Sequence, residues 1–161
     1  MEKRETVIVP DYSDRAKLAD RYHAAGFNCA QAVVAAFADH FDMPIEGLLA
    51  ANGGFGGGVG GTHDEICGAA SGAVMAIGLL FPFTNGEDQQ RKKEVYAISK
   101  EFRRRFQEIF GHTVCRDLLN ARPGISEKTP AAARLGLTRH CDIMIVTAVE
   151  IVEELLREYR Q

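Results

Sequence analysis

Residues 66–83 read ICGAASGAVMAIGLLFPF, eighteen positions without a charge. A segment of that composition has to be removed from water, and its length approaches the ~20 residues that cross a bilayer. Alanine and glycine dominate it, Pro82 interrupts its far end, and charged residues lie close by, which is unlike a spanning segment. The reading that remains is a helix buried on all sides at the centre of a bundle. Within it Gly68, Gly72 and Ala76 recur every four residues, so one helix face is a shallow groove that a second backbone can approach closely.

The flanking sequence supplies helices to surround that hub. Residues 12–25 are helical in composition, with Asp11 or Ser13 as cap and Gly26 as stop. Asn28 caps a second helix, in which Phe27, Ala30, Val33, Val34, Phe37 and Phe41 form a stripe that ends before Pro44. A short third helix spans about residues 44–52. Thr62 followed by Glu65 is a capping-box pattern and marks the start of the central helix. A long helix over about residues 87–110 carries Val95, Ser99, Phe102, Phe106 and Ile109 on one face, leaves Arg103, Arg104 and Arg105 to solvent, and ends at Gly111. Residues 114–119 form one short helical turn, Pro123, Gly124 and Pro130 mark a loop, and a last helix after Thr138 presents Cys141, Met144, Ala148, Val152 and Leu155. Only TVIVP near the start has strand character. The fold class is therefore all-α, one domain over residues 1–161 built as a bundle of five to six helices around a Gly/Ala-rich centre.

Composition narrows the function. Nineteen basic against 22 acidic residues give a net charge of -3, which provides no positive excess for a phosphate backbone. Nucleic acid is not an expected partner, and no membrane span is expected. The first residues lack the uninterrupted apolar run of a secretory signal, so the expected compartment is the reducing cytoplasm, where thiols persist as thiols.

Four cysteines remain: Cys29, Cys67, Cys115 and Cys141. Their intervals of 38, 48 and 26 positions exclude a CxxC pair and a zinc-ribbon spacing. Cys29, Cys67 and Cys141 share a placement near expected helix starts, where free amides and partial positive charge stabilise a thiolate. His63 and Cys67, four apart, would share one helix face, so the imidazole could hold the sulfur as thiolate or join it on a metal. His112, three before Cys115, and His140, adjacent to Cys141, also neighbour cysteines in sequence, but adjacent residues on a helix diverge by about 100°, and His23 and His40 have no sequence partner. Seven of the sixteen glycines lie between Gly53 and Gly61. Gly56, Gly58 and Gly61 spell GxGxxG, yet no strand precedes them and no Walker lysine follows, which rules out a dinucleotide fingerprint. A stretch poor in side chains, Gly56, Gly57, Gly58, Gly60 and Gly61 with His63, can instead hold an anion or admit a ligand to Cys67.

These blocks resemble the redox-active protein family named C_GCAxxG_C_C after its cysteines and glycines. Asn28-Cys29-Ala30-Gln31-Ala32-Val33 is similar to its first block, FGGGVGG with Glu65-Ile66-Cys67-Gly68-Ala69 and Gly72 to its centre, Phe106 through Cys115 to Leu119 to its third, and Cys141 through Leu155 to its last. The similarity covers about residues 15–158. One departure is that Ile66 precedes Cys67 and Gly68 follows it, whereas the family label places glycine before the cysteine. The resemblance implies redox activity without naming a reaction.

Three readings follow. In the first, Cys29, Cys67, Cys115 and Cys141 meet from separate helices and carry thiol–disulfide exchange or electron transfer to a partner protein, the candidate activity being a thiol-based oxidoreductase with Cys67 as leading sulfur. In the second, the four cysteines, or three with His63, bind a metal ion or iron–sulfur cluster. The third is a helical scaffold whose cysteines only pack. A homodimer is left open by all three.

Overall fold

The computed structural model describes residues 7–121 and 129–160. Among them are eight α-helices: α1 (Arg15–Ala24), α2 (Cys29–Ala35), α3 (Ile45–Ala51), α4 (Gly68–Leu80), α5 (Gln89–Phe110), α6 (Cys115–Asn120), α7 (Pro130–Arg134) and α8 (His140–Tyr159). Six have seven or more residues, as the all-α reading expects, and no strand is formed among the described residues, where residues 7–10 of the TVIVP run lie outside any helix. The additional element is α7: Pro130, read as a loop marker, occupies a first-turn position, where its missing N–H costs no hydrogen bond. Pro123 and Gly124 lie outside the described residues.

Local capping chemistry sets most boundaries. Asp14, rather than Asp11 or Ser13, caps α1 by accepting the Lys17 amide at 3.2 Å, while Asp11 is engaged by the Ser13 amide and hydroxyl. Asn28 starts α2 with a reciprocal capping box: the Gln31 amide donates to Asn28 Oδ1 at 2.9 Å, and the Asn28 amide donates to Gln31 Oε1 at 3.0 Å. Gly111 closes α5 in the left-handed conformation at φ 79°.

The central helix starts later than the capping-box pattern indicates. The Thr62 hydroxyl donates back to the Gly58 and Val59 carbonyls, the backbone from Gly57 to Gly61 has positive φ throughout, and α4 begins only at Gly68. Its glycine groove is used as expected. A Cβ on Gly72 would lie 2.6 Å from the Ala30 carbonyl oxygen, and one on Gly68 would collide with Cys29 Sγ, so α2 crosses α4 at a separation only glycine permits. The helix is not enclosed on every side, because Val74 is 37% exposed. Helices α2, α5 and α8 cover the rest of it.

The core stripe of α5 is Ile98, Phe102, Phe106 and Phe110, with the phenylalanine rings in successive contact at centroid separations of 5.8 and 4.8 Å. Val95, Ser99 and Ile109 sit on the stripe's half-buried edges. Of the arginine run, Arg103 and Arg104 are exposed, whereas Arg105 reaches Glu158 at 2.7 Å and Glu154 at 3.2 Å and ties α5 to α8. No helix among the described residues is long and apolar enough to cross a membrane.

Candidate functional site

All four cysteines lie in the first turn of a helix or at its cap. Cys29 opens α2, Cys67 is the cap residue of α4, Cys115 opens α6, and Cys141 is the second residue of α8. Packing then brings these four helix starts together. One cavity of about 220 Å³ is lined by all four cysteines together with His23, Asn28, Gly57, His63, Gly68, Leu118, Leu119, His140 and Met144.

Two local devices hold the sulfurs there. The first is an isolated antiparallel bridge between Ile66 and Val114, in which the Cys67 amide donates to the Thr113 carbonyl at 2.8 Å and the Cys115 amide to the Glu65 carbonyl at 2.9 Å. Side chains alternate across such a pair, so Cys67 and Cys115, each one residue beyond the bridge, share a face. The second device is the glycine segment. The His63 amide donates to the Gly57 carbonyl at 2.8 Å, which curls the left-handed stretch against the bridge. A Cβ at Gly58 would stand 2.7 Å from Cys115 Cβ, so that glycine makes room for the sulfur-bearing residue. Gly56 abuts Asn28, Gly57 lines the cavity, and Gly60 and Gly61 face open space.

His63 is placed differently from the sequence expectation. It stands in the loop at φ 64°, not on a helix face with Cys67, and its Nδ1 lies 3.3 Å from Cys115 Sγ. His140 lines the same cavity although it neighbours Cys141 in sequence, and His112 is exposed outside it. Sequence reasoning missed His23. Its Nδ1 lies 2.7 Å from Oδ1 of Asp142, 119 positions away, and no local pattern in either segment signals the pair. His40 meets Arg15 at 3.1 Å on the far side of the fold.

Burial separates the sulfurs chemically. Cys67 is 8% exposed, and desolvation, reinforced by the neighbouring Cys29, pushes its thiol up to about 12. The amides of Ala69 and Ala70 act in the opposite sense and do not prevail, so the thiolate expected at this helix start is not the neutral-pH form. Burial also raises Cys115, with Cys141 and Cys29 adding to the shift and Arg116 opposing it. Cys141 is exposed, and Cys29 and Cys115 are half-buried, so the cavity grades from a wet rim to a dry floor at Cys67.

No disulfide joins any two of the four cysteines. Among the described residues no group of three or more His, Cys, Asp or Glu side chains is placed to hold one metal ion. The alternative ligand set read from the sequence, Cys29, Cys67, Cys115 and Cys141 with or without His63, lines one cavity.

An all-α domain that collects four dispersed cysteines and three imidazoles around one cavity defines a class of cysteine-centred protein. A model of the family described as putative redox-active protein (C_GCAxxG_C_C) matches residues 27–155, and the chain belongs to that family. Its matched region contains all four cysteines, and the glycine that follows Cys67 is the one whose absent Cβ admits Cys29. No curated protein and no solved structure matches the chain.

Proposed function

We propose that the protein carries out thiol–disulfide exchange with a disulfide-bearing partner. The observation that carries this reading is the shared cavity, into which four otherwise unrelated helix starts each deliver a sulfur. Cys115 is the attacking sulfur. It is more accessible than Cys67 and has His63 Nδ1 at 3.3 Å to receive its proton. Cys67, read from the sequence as the leading sulfur, suits the opposite role: a thiol held near 12 does not initiate attack at neutral pH, and it engages last, through Cys29, whose sulfur packs against Gly68 beside it.

In the first step the Cys115 S–H proton passes to His63, a bond forms from Cys115 to one sulfur of the partner disulfide, and the other partner sulfur leaves as thiolate. A second cavity thiol then attacks the Cys115 sulfur and displaces the remaining partner sulfur. Two cysteines are oxidised to one cystine while the partner disulfide is reduced to two thiols, and a dithiol partner runs the sequence backwards.

Thiol titration of the full chain before and after one equivalent of a small disulfide tests the reading. Loss of two thiols, reversed by a dithiol reductant and abolished in Cys115→Ser, is the expected result. Four thiols retained after oxidation would overturn it.

A further inference from the structure

The exchange cycle needs two proton acceptors, because two thiols attack in turn, and His63 serves only the first. His23 stands on α1, which packs against both α2 and α8, the helices whose first turns carry Cys29 and Cys141. Its ring is part of the lining of the thiol cavity. The same ring lines a neighbouring depression of about 440 Å³, bounded also by Asp20, Arg139 and Asp142. His23 therefore stands in the wall between the sulfurs and a charged, solvent-facing recess.

Its orientation is imposed by a carboxylate. Asp142 is 8% exposed, and its Oδ1 lies 2.7 Å from His23 Nδ1. A carboxylate accepts, so the contact gives Nδ1 the donor role, and in the neutral imidazole Nε2 is then the acceptor. The groups facing this pair are Asp20 on α1, Cys29 at the start of α2, and Arg139, His140 and Cys141 at the start of α8. Arg139 Nε stays 3.8 Å from the other Asp142 oxygen and is largely exposed, which leaves the short contact to the imidazole.

We infer, resting on the thiol–disulfide reading, that His23 Nε2 receives the proton of the resolving thiol, contributed by Cys29 or Cys141, and that Asp142 is the positioning residue that holds the ring in the tautomer able to do so. In that step the resolving S–H proton moves to Nε2, a sulfur–sulfur bond forms to Cys115, and the bond from Cys115 to the partner sulfur breaks. The released thiolate recovers a proton from the imidazolium or from the recess. The two imidazoles divide the work, His63 at the attacking sulfur and His23 at the resolving one.

Dithiobis-nitrobenzoate, an aromatic disulfide that liberates a coloured thiolate at each step, separates the two events when one equivalent is mixed with the reduced full chain. The first equivalent of colour reports attack and the second reports resolution. His23→Gln is expected to slow the second phase at pH 7 by roughly 100-fold, the low end for a positioned acid–base group, and to leave the first phase unchanged. Asp142→Asn is expected to slow the same phase. Near pH 10, where thiols ionise unaided above ~8.5, variants and wild type should converge. Second-phase rates and pH profiles equal to wild type in both variants would overturn the inference, as would equal slowing of both phases, which is the signature of a loosened cavity. Should His23→Gln fail to fold, Asp142→Asn decides: a second phase as fast as wild type in that variant overturns it. Release of a single equivalent by the wild-type chain would instead overturn the exchange reading on which this one rests.

Discussion

Two glycines in one helix should respond to the same substitution with opposite signs. Gly72 and Gly78 both lie inside α4, and alanine at either position removes the same backbone entropy from the unfolded chain and gains the same helix propensity, about 1 kcal/mol. At Gly78 no heavy atom lies within 4 Å of the added methyl, so the gain is realised in full. At Gly72 the methyl would meet the Ala30 carbonyl oxygen at 2.6 Å, Cα at 2.8 Å and carbonyl carbon at 3.1 Å. These are backbone atoms of α2 and cannot rotate aside. Restoring ordinary contact near 3.4 Å requires α2 to withdraw by about 0.8 Å, an overpacking that costs roughly 1–3 kcal/mol net and loosens the buried α2 face of Ala32, Val33 and Ala35. For a domain of this size a change of 1 kcal/mol moves the melting temperature by about 2–4 °C, so Gly78→Ala should melt about 2–4 °C higher and Gly72→Ala roughly 2–12 °C lower. Thermal unfolding followed by far-ultraviolet circular dichroism measures both. Equal shifts of the same sign would show that α2 and α4 are not in the close backbone contact described above.

Further expectations concern the site and its loop. Val59 is a β-branched residue at φ 66°, a conformation costing about 1 kcal/mol that asparagine tolerates, so Val59→Asn should raise stability by a comparable amount in urea titration; an unchanged or lower midpoint would count against the strain. Because burial raises the Cys67 thiol to about 12, the folded chain keeps a proton that the unfolded chain releases near 9. Stability should therefore be full below pH 9 and fall as pH rises toward 12, by at most about 1.4 kcal/mol per pH unit from this group. The fall should be shallower in Cys67→Ala, and parallel profiles for the two proteins would refute the assignment. Cys141 should react with iodoacetamide in the folded chain at pH 8 while Cys67 reacts only after unfolding, as peptide mass mapping can show. Replacing His63 by glutamine should slow alkylation of Cys115 about tenfold at pH 7, since Cys115 loses the imidazole that stands 3.3 Å from its sulfur; an unchanged rate would refute the contact.

What could be read without coordinates was whatever is encoded within about one helical turn. The Asn28–Gln31 cap, the left-handed stop at Gly111, the four-residue glycine spacing of α4 and the apolar periodicity of α5 each involve residues that touch because they are three or four apart. The same reach located helix starts beside three of the four cysteines. Where a local pattern had a tertiary competitor it failed: Thr62 and Glu65 look like a cap, but the Thr62 hydroxyl is spent on loop carbonyls and the Glu65 carbonyl accepts the Cys115 amide, so α4 waits until Gly68.

Sequence alone thus determined the helical class, the buried centre and the placement of three of the four sulfurs near helix beginnings, because capping, propensity and burial pattern act over short separations. Only the tertiary structure decided that those beginnings share one cavity, that His63 stands against Cys115 and not on a helix face with Cys67, that His23 finds Asp142 across 119 positions, and which sulfur is driest. Proximity and desolvation depend on which distant segments are packed together, and for the Cys67 thiol the dry floor of the cavity outweighs the dipole of its own helix.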